Sequence, residues 1–253
     1  MPVAEAFQKG RPALIGYLPA GFPSVEEAKT AIRAMIDAGV DLVEIGLPYS
    51  DPVMDGPVIQ RATEKALAQG VRTRDVLATV EAVAGTVPLL VMTYWNPVEK
   101  YGVDAFARDL AAAGGAGLIT PDLIPDEAGE WLAASEEYKL DRVFLVSPSS
   151  TDDRIAMTAS YCRGFIYATA VMGVTGAREQ TSLAAPQLVA RVKVATDLPV
   201  CVGVGVRDGT QAREVGRFAD GVIVGSALVS ALADGGVAGV SRLTAELHAG
   251  LTT

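Results

Sequence analysis

Histidine and cysteine are almost absent from this chain. One histidine, His248, and two cysteines, Cys162 and Cys201, occur among 253 residues. Triads built on histidine and most zinc sites are therefore not expected. His248 falls in a charged segment near the C-terminus and reads as a solvated helix residue. The two cysteines form no ligand pair and no disulfide framework, and read as core thiols of a reducing cytosol. A basic excess is missing as well. The net charge is -9, which makes nucleic acid an unsuitable partner. The longest apolar runs, such as "PLLVMTYW", are far too short to span a bilayer. The first residues, "MPVAEAFQKG", show no basic region followed by an apolar one, so no signal peptide is expected. These absences together point to a cytoplasmic protein with no metal site and no membrane contact.

Apolar residues, by contrast, are plentiful. They make up 50% of the chain, ample for a packed core. They fall into short runs: "ALIGYLP", "DLVEIGLP", "PLLVMTYW", "AGLITPD", "DRVFLVSP", "GFIYATA", "PVCVGVGV" and "GVIVGSA". Little polar alternation occurs within them, as in parallel strands covered on both faces. Amphipathic segments lie between. "SVEEAKTAIRAMIDAG" has Ser24 as its N-cap, Glu27 completing a capping box, and Gly39 at its end. "VRTRDVLATVEAVAGTV" adds a helix between the second and third strands. Strands alternating with helices at roughly 30 residues per unit predict an α/β fold, a single-domain (β/α)8 TIM barrel over residues 1–253. A doubly wound sheet fits less well, because "PAGFPS" after the first strand carries no G-x-G-x-x-G.

Chemistry in such a barrel collects at the C-terminal ends of the strands. Glu44 is a carboxylate inside the apolar second run, and Asp55 follows in "SDPVMDGP". Burial would raise the pKa of Glu44 towards the range of a general acid or base, and two carboxylates in different surroundings can divide proton transfer from charge stabilisation. A core ion pair for Glu44 and plain turn roles for Asp55 and Asp51 are the structural alternatives. Glycines at "VGVGVRDG" and "IVGSALV" let backbone N–H groups approach an anion, and Gly225 with Ser226 starts a helix whose N-terminus favours phosphate. The loop "VMGVTGAREQTS" reads as a lid over this face. Tyr17, Tyr49, Tyr94 and Tyr167 stand at or near strand ends, where they line the mouth against a flat apolar ring or simply pack there.

The segments "VEIGLPYSDPVMDGPVIQ" and "GVTGAR" resemble the signatures of the tryptophan synthase alpha subunit family. Strand order and the "VGVGV" to "VGSA" spacing extend the resemblance over nearly the whole chain. It implies retro-aldol cleavage of indole-3-glycerol phosphate to indole and glyceraldehyde 3-phosphate. Glu44 matches the family's catalytic glutamate and Asp55 the aspartate facing the indole N–H. Tyr17, Ile59, Tyr167 and Thr175 match substrate contacts, and Gly176, Gly205, Gly225 and Ser226 match phosphate binders. Asp51 matches a loop aspartate that communicates with a beta subunit. The implied assembly is an alpha–beta–beta–alpha heterotetramer. No cofactor is implied in this subunit, and pyridoxal phosphate is implied in the partner. The chain departs from the family at Tyr17 and Tyr49, where many members carry phenylalanine, and at Val171, which replaces a lid arginine. An indole-glycerol-phosphate synthase, another phosphate-binding barrel, would be expected to carry lysines at strand ends, and the predicted strands hold none. A ligand-binding activator of a beta subunit without turnover is the other alternative, and the intact Glu44 and Asp55 speak against it.

Overall fold

The computed structural model of the chain describes residues 1–169, 178–203 and 205–252. Its strands are β1 (Ala13–Pro19), β2 (Leu42–Gly46), β3 (Leu89–Met92), β4 (Gly117–Ile119), β5 (Asp141–Val143), β6 (Leu145–Val146), β7 (Ile166–Thr169), β8 (Val200–Gly203) and β9 (Gly221–Val224). All pairings are parallel, in the order β5-β4-β3-β2-β1-β9-β8-β7-β6. The two ends of that order, β5 and β6, are halves of one predicted strand separated only by Phe144. The Phe144 amide leaves the ladder and donates to Cys162 Sγ at 3.4 Å. The ring of strands is thus the expected TIM barrel, with its fifth strand broken at a single residue.

Alternation along the strands sorts the core into two shells. Ile15, Leu42, Leu90, Ile119, Val143, Phe165, Cys201 and Ile223 fill the barrel. Leu14, Leu18, Val43, Ile45, Val91 and Leu118 face outward against helices. Burying both faces is why the strands read as continuous apolar runs. A short N-terminal turn, Val3–Phe7, inserts Val3 and Ala6 beneath the inner shell and closes the bottom of the barrel.

The outer layer is α1 (Val25–Asp37), α2 (Pro57–Ala68), α3 (Thr73–Val83), α4 (Trp95–Tyr101), α5 (Val103–Ala112), α6 (Gly129–Glu137), α7 (Asp152–Tyr161), α8 (Arg178–Ala195), α9 (Gly209–Gly216) and α10 (Ser226–Thr252). Two helices, α2 and α3, stand between β2 and β3, so the extra helix expected there is present. Ser24 caps α1 by accepting from the Glu27 amide at 3.3 Å. Glu27 answers the Ser24 hydroxyl, not the Ser24 amide of a full capping box.

Two expectations need correction. The third strand ends at Met92, and Trp95 already opens α4. The cause lies far along the chain: both Asp122 carboxylate oxygens accept from the Trp95 amide, at 2.9 and 3.1 Å. His248 is not a solvated residue. Its Nδ1 lies 2.8 Å from the Gly39 carbonyl oxygen and 3.5 Å from Arg11 Nη2. Thr244, Leu247 and Leu251 are buried on the same stretch of α10, and that face brings His248 against the end of α1.

Candidate active site

The mouth of the barrel is built from the residues that follow the inner shell upward. On β2 the inward positions are Leu42, Glu44 and Gly46, because Val43 and Ile45 belong to the outer shell. Glu44 is fully buried, and neither carboxylate oxygen has a hydrogen-bond partner among the described residues. Desolvation alone pushes its pKa from 4.5 up to about 8, so it holds its proton at neutral pH. Among the described residues no ion pair compensates, which speaks against the core ion-pair alternative raised by the sequence.

Tyr17 is the register partner of Glu44 on β1 and shares its inward face. Its hydroxyl occupies the space a side chain at Gly46 would fill. On the other side of its ring lies Gly225: a Cβ there would meet Tyr17 Cδ1 at 3.5 Å and Ile59 Cδ1 at 3.7 Å. Tyr17 and Ile59 therefore flank one space that opens onto the start of α10.

Asp55 lies in the loop between β2 and α2, partly buried. Burial raises its pKa, and a hydrogen bond from Tyr94 lowers it in part. The Tyr94 hydroxyl lies 3.3 Å from Asp55 Oδ2 and accepts from the Met54 amide at 2.9 Å. Gln60 Nε2 donates to the Asp55 carbonyl at 2.8 Å, so the loop is held at both its backbone and its carboxylate. The hydroxyl of Tyr17 is driven up by burial, then by the charges of Asp55 and Glu44. Tyr167, opposite on β7, is raised by burial, then by Glu44. The structure thus brings Glu44, Asp55, Tyr17, Tyr94 and Tyr167 into one electrostatic neighbourhood.

The anion-binding features form the other flank. Gly205 follows β8 at φ +74°, a conformation suited to glycine, and no atom of the described residues lies within 4 Å of where a side chain would stand. Ser226 opens α10, so the peptide N–H groups of its first turn point into the mouth. Asp51 is exposed and bonds only its neighbour, the Ser50 hydroxyl, at 2.6 Å among the described residues. Thr175, Gly176 and Val171 lie outside the described residues, so the expected lid does too. Hollows of about 380 Å³ beside the bend of α10 and about 310 Å³ beside α4 do not contain the carboxylates. The strand ends locate this site, not the depth of a surface cavity.

The sequence pattern of "VEIGLPYSDPVMDGP" thus becomes two carboxylates at one barrel mouth, and comparison with known proteins decides what kind of barrel it is. Residues 3–249 match the family model described as "Tryptophan synthase alpha chain". The chain belongs to the tryptophan synthase alpha chain family. A tryptophan synthase alpha chain of Mycobacterium intracellulare is 64% identical over 243 residues, covering 96% of this chain and 90% of that one. One of Salinispora tropica is 64% identical over 255 residues, covering 98% and 96%. A solved Mycobacterium tuberculosis tryptophan synthase chain superposes with a TM-score of 0.94 at 58% identity, covering 99% of this chain and 98% of that one. The alpha subunit from Legionella pneumophila keeps the fold at 30% identity, with a TM-score of 0.88. The described strands carry no lysine.

Sequence reasoning placed Tyr94 only in an aromatic lining. It missed the hydroxyl's bonds to Asp55 and Met54, and it missed Gly46 and Asp122 altogether. A Gly two positions beyond Glu44 on the same face was the available signal for the first of those two.

Proposed function

We propose that Glu44 and Asp55 divide the work of the family's reaction, cleavage of indole-3-glycerol phosphate to indole and glyceraldehyde 3-phosphate. Glu44, protonated at neutral pH, gives its proton to indole C3. The positive charge that appears at the ring nitrogen meets the Asp55 carboxylate, which accepts from the N–H. The bond from C3 to the glycerol carbon then breaks, and its electron pair restores the aromatic ring. Glu44, now a carboxylate, takes the proton from the hydroxyl on that carbon as the hydroxyl becomes the aldehyde of glyceraldehyde 3-phosphate. One buried group gives a proton and recovers one, so the cycle closes without a cofactor in this subunit.

The observation that carries this reading is the fully buried Glu44 carboxyl, unpartnered among the described residues, whose pKa is raised to about 8. Tyr17, Ile59 and Tyr167 would enclose the ring, and Gly205, Gly225 and Ser226 would hold the phosphate with the N-terminus of α10. Thr175 and Gly176 would contact the substrate from the lid. Closure would exclude water and strengthen both carboxylate interactions.

The partner in this reading is a beta subunit carrying pyridoxal phosphate, in an alpha–beta–beta–alpha complex that receives the indole. Val53, Met54, Tyr101 and Ile124 are exposed apolar residues on loops and helix ends around the mouth, which supports docking on that face. Asp51 beside them would report the state of the site to the partner. A cytoplasmic location suits the two free thiols and the fact that no described helix is long and apolar enough to cross a membrane.

The test is release of indole from indole-3-glycerol phosphate, with and without beta subunit. The wild-type chain should release it and a Glu44→Gln chain should not, while both bind a phosphate-bearing analogue. Full release by Glu44→Gln would overturn the assignment of the acid. Analogue binding without any wild-type turnover would favour the non-catalytic activator.

A further inference from the structure

Tyr94 follows β3 and occupies the position just before α4, with only 5% of its surface exposed. The peptide group that follows it is held at both its carbonyl and its amide. Its carbonyl accepts from Thr93 Oγ1 at 3.0 Å, and the next amide, that of Trp95, is bound by Asp122. Its ring packs on Tyr49 with centroids 5.3 Å apart. The side chain therefore has little freedom of its own.

Its hydroxyl meets two groups of the β2–α2 loop. The Met54 amide can only donate, so the phenol oxygen accepts there, at 2.9 Å. The single phenol hydrogen is then left for Asp55 Oδ2, 3.3 Å away. Around this contact the loop is open: Val53 and Met54 are 79% and 52% exposed. Among the described residues, no other side chain donates to the Asp55 carboxylate.

We propose that Tyr94 is the positioning residue for Asp55: its hydroxyl, oriented by the Met54 amide, engages Oδ2 and leaves Oδ1 to accept from the N–H of the substrate's ring. The inference rests on the role given above to Asp55 and adds a residue that acts only through it. Tyr94 remains a donor throughout the working range, because burial and the neighbouring Asp55 charge drive its hydroxyl up to about 12. The titratable groups sharing this neighbourhood are Glu44 on β2, Tyr17 on β1 and Tyr167 on β7.

The variant Tyr94→Phe keeps the ring and its packing and removes only the hydroxyl. In the full chain with beta subunit, kcat for indole release should fall about tenfold with KM little changed. The acid limb of the kcat profile should move to higher pH, because the lost hydrogen bond had favoured the Asp55 carboxylate. Carbon-13 titration of the Asp55 carboxyl should show the same upward move without any turnover. That readout separates the two claims. If the wild-type chain releases no indole, the reaction assignment falls while the titration still decides the Tyr94 contact. Wild-type kcat, an unmoved acid limb and an unmoved Asp55 titration in Tyr94→Phe would overturn the proposal. A parallel fall in thermal stability with both limbs in place would reduce Tyr94 to a packing residue and overturn it equally.

Discussion

Asp41 immediately precedes β2, Glu44 lies within that strand, and both are buried. At the bottom of the barrel, Asp41 is saturated. Arg11 grips it with two bonds of 2.7 and 2.9 Å, Lys9 approaches to 2.8 Å, and the Leu14 amide donates at 2.7 Å. Burial would raise its pKa, but Arg11, Lys9 and the amide outweigh burial and hold it below the usual carboxylate range. At the mouth, Glu44 has no such partner among the described residues and goes the opposite way. The difference separates a carboxylate that holds a structure together from one kept ready for proton transfer. The Asp41 carboxylate is satisfied by its neighbours, whereas the Glu44 carboxyl is left open towards the mouth among the described residues.

The sharpest way to break that contrast is to neutralise each group in turn. Glu44→Gln should lower kcat for indole release by about 10²–10⁴-fold, the usual worth of a positioned acid or base. Steady-state assays at pH 7 measure it, and near-normal turnover would end the distinction between the two carboxylates. Asp41→Asn should instead cost about 3 kcal/mol of folding free energy, because Arg11 and the Leu14 amide lose their anion. Urea unfolding reads that loss, and the folded fraction should keep its kcat.

The pH dependence of stability sharpens the contrast further. The folded pKa of Glu44, about 8, lies above its ordinary value of 4.5. Between those values the unfolded chain sheds a proton that the folded chain retains. Wild-type stability is therefore eroded as pH rises from about 4.5 to about 8, and the erosion levels off above. Glutamine has no proton to lose. Glu44→Gln should gain on the wild type across that window, by a few kcal/mol at pH 8 and by nothing at pH 4. Thermal melts at the two pH values check it, and a constant difference between variant and wild type would refute it.

The smallest effect tests the other flank of the mouth. Gly205→Ala forces a side chain into positive φ, and should cost about 1 kcal/mol. It should also raise KM for the phosphate-bearing substrate more than it lowers kcat. An unchanged KM would remove Gly205 from the phosphate site.

Much of the frame was legible from residue patterns. Apolar runs without alternation marked the parallel strands, because both faces of each are covered. Glu44 stood out because a charge in such a run is costly. Ser226 was legible as a helix start at the barrel's end, and the resemblance supplied separate tasks for Glu44 and Asp55. The break at Phe144 was not legible, since it depends on a thiol in the following helix segment, Cys162. Nor was the early end of β3, which Asp122 enforces from across two helices. His248 was misread because its helix looked charged in sequence, while its packing partner is a carbonyl at the far end of α1.

The sequence by itself determined the alternating strands and helices, the placing of two acids next to a strand end, and the glycines at the anion flank. Those are local properties: hydrophobic period, turn chemistry and residue type within a few positions. Only the tertiary structure decided that Asp41 would find Lys9 and Arg11 while Glu44 would find no partner among the described residues, and that the Tyr94 hydroxyl would reach Asp55. A pKa depends on every group within a few ångströms, and in a closed barrel those groups come from strands far apart in the chain.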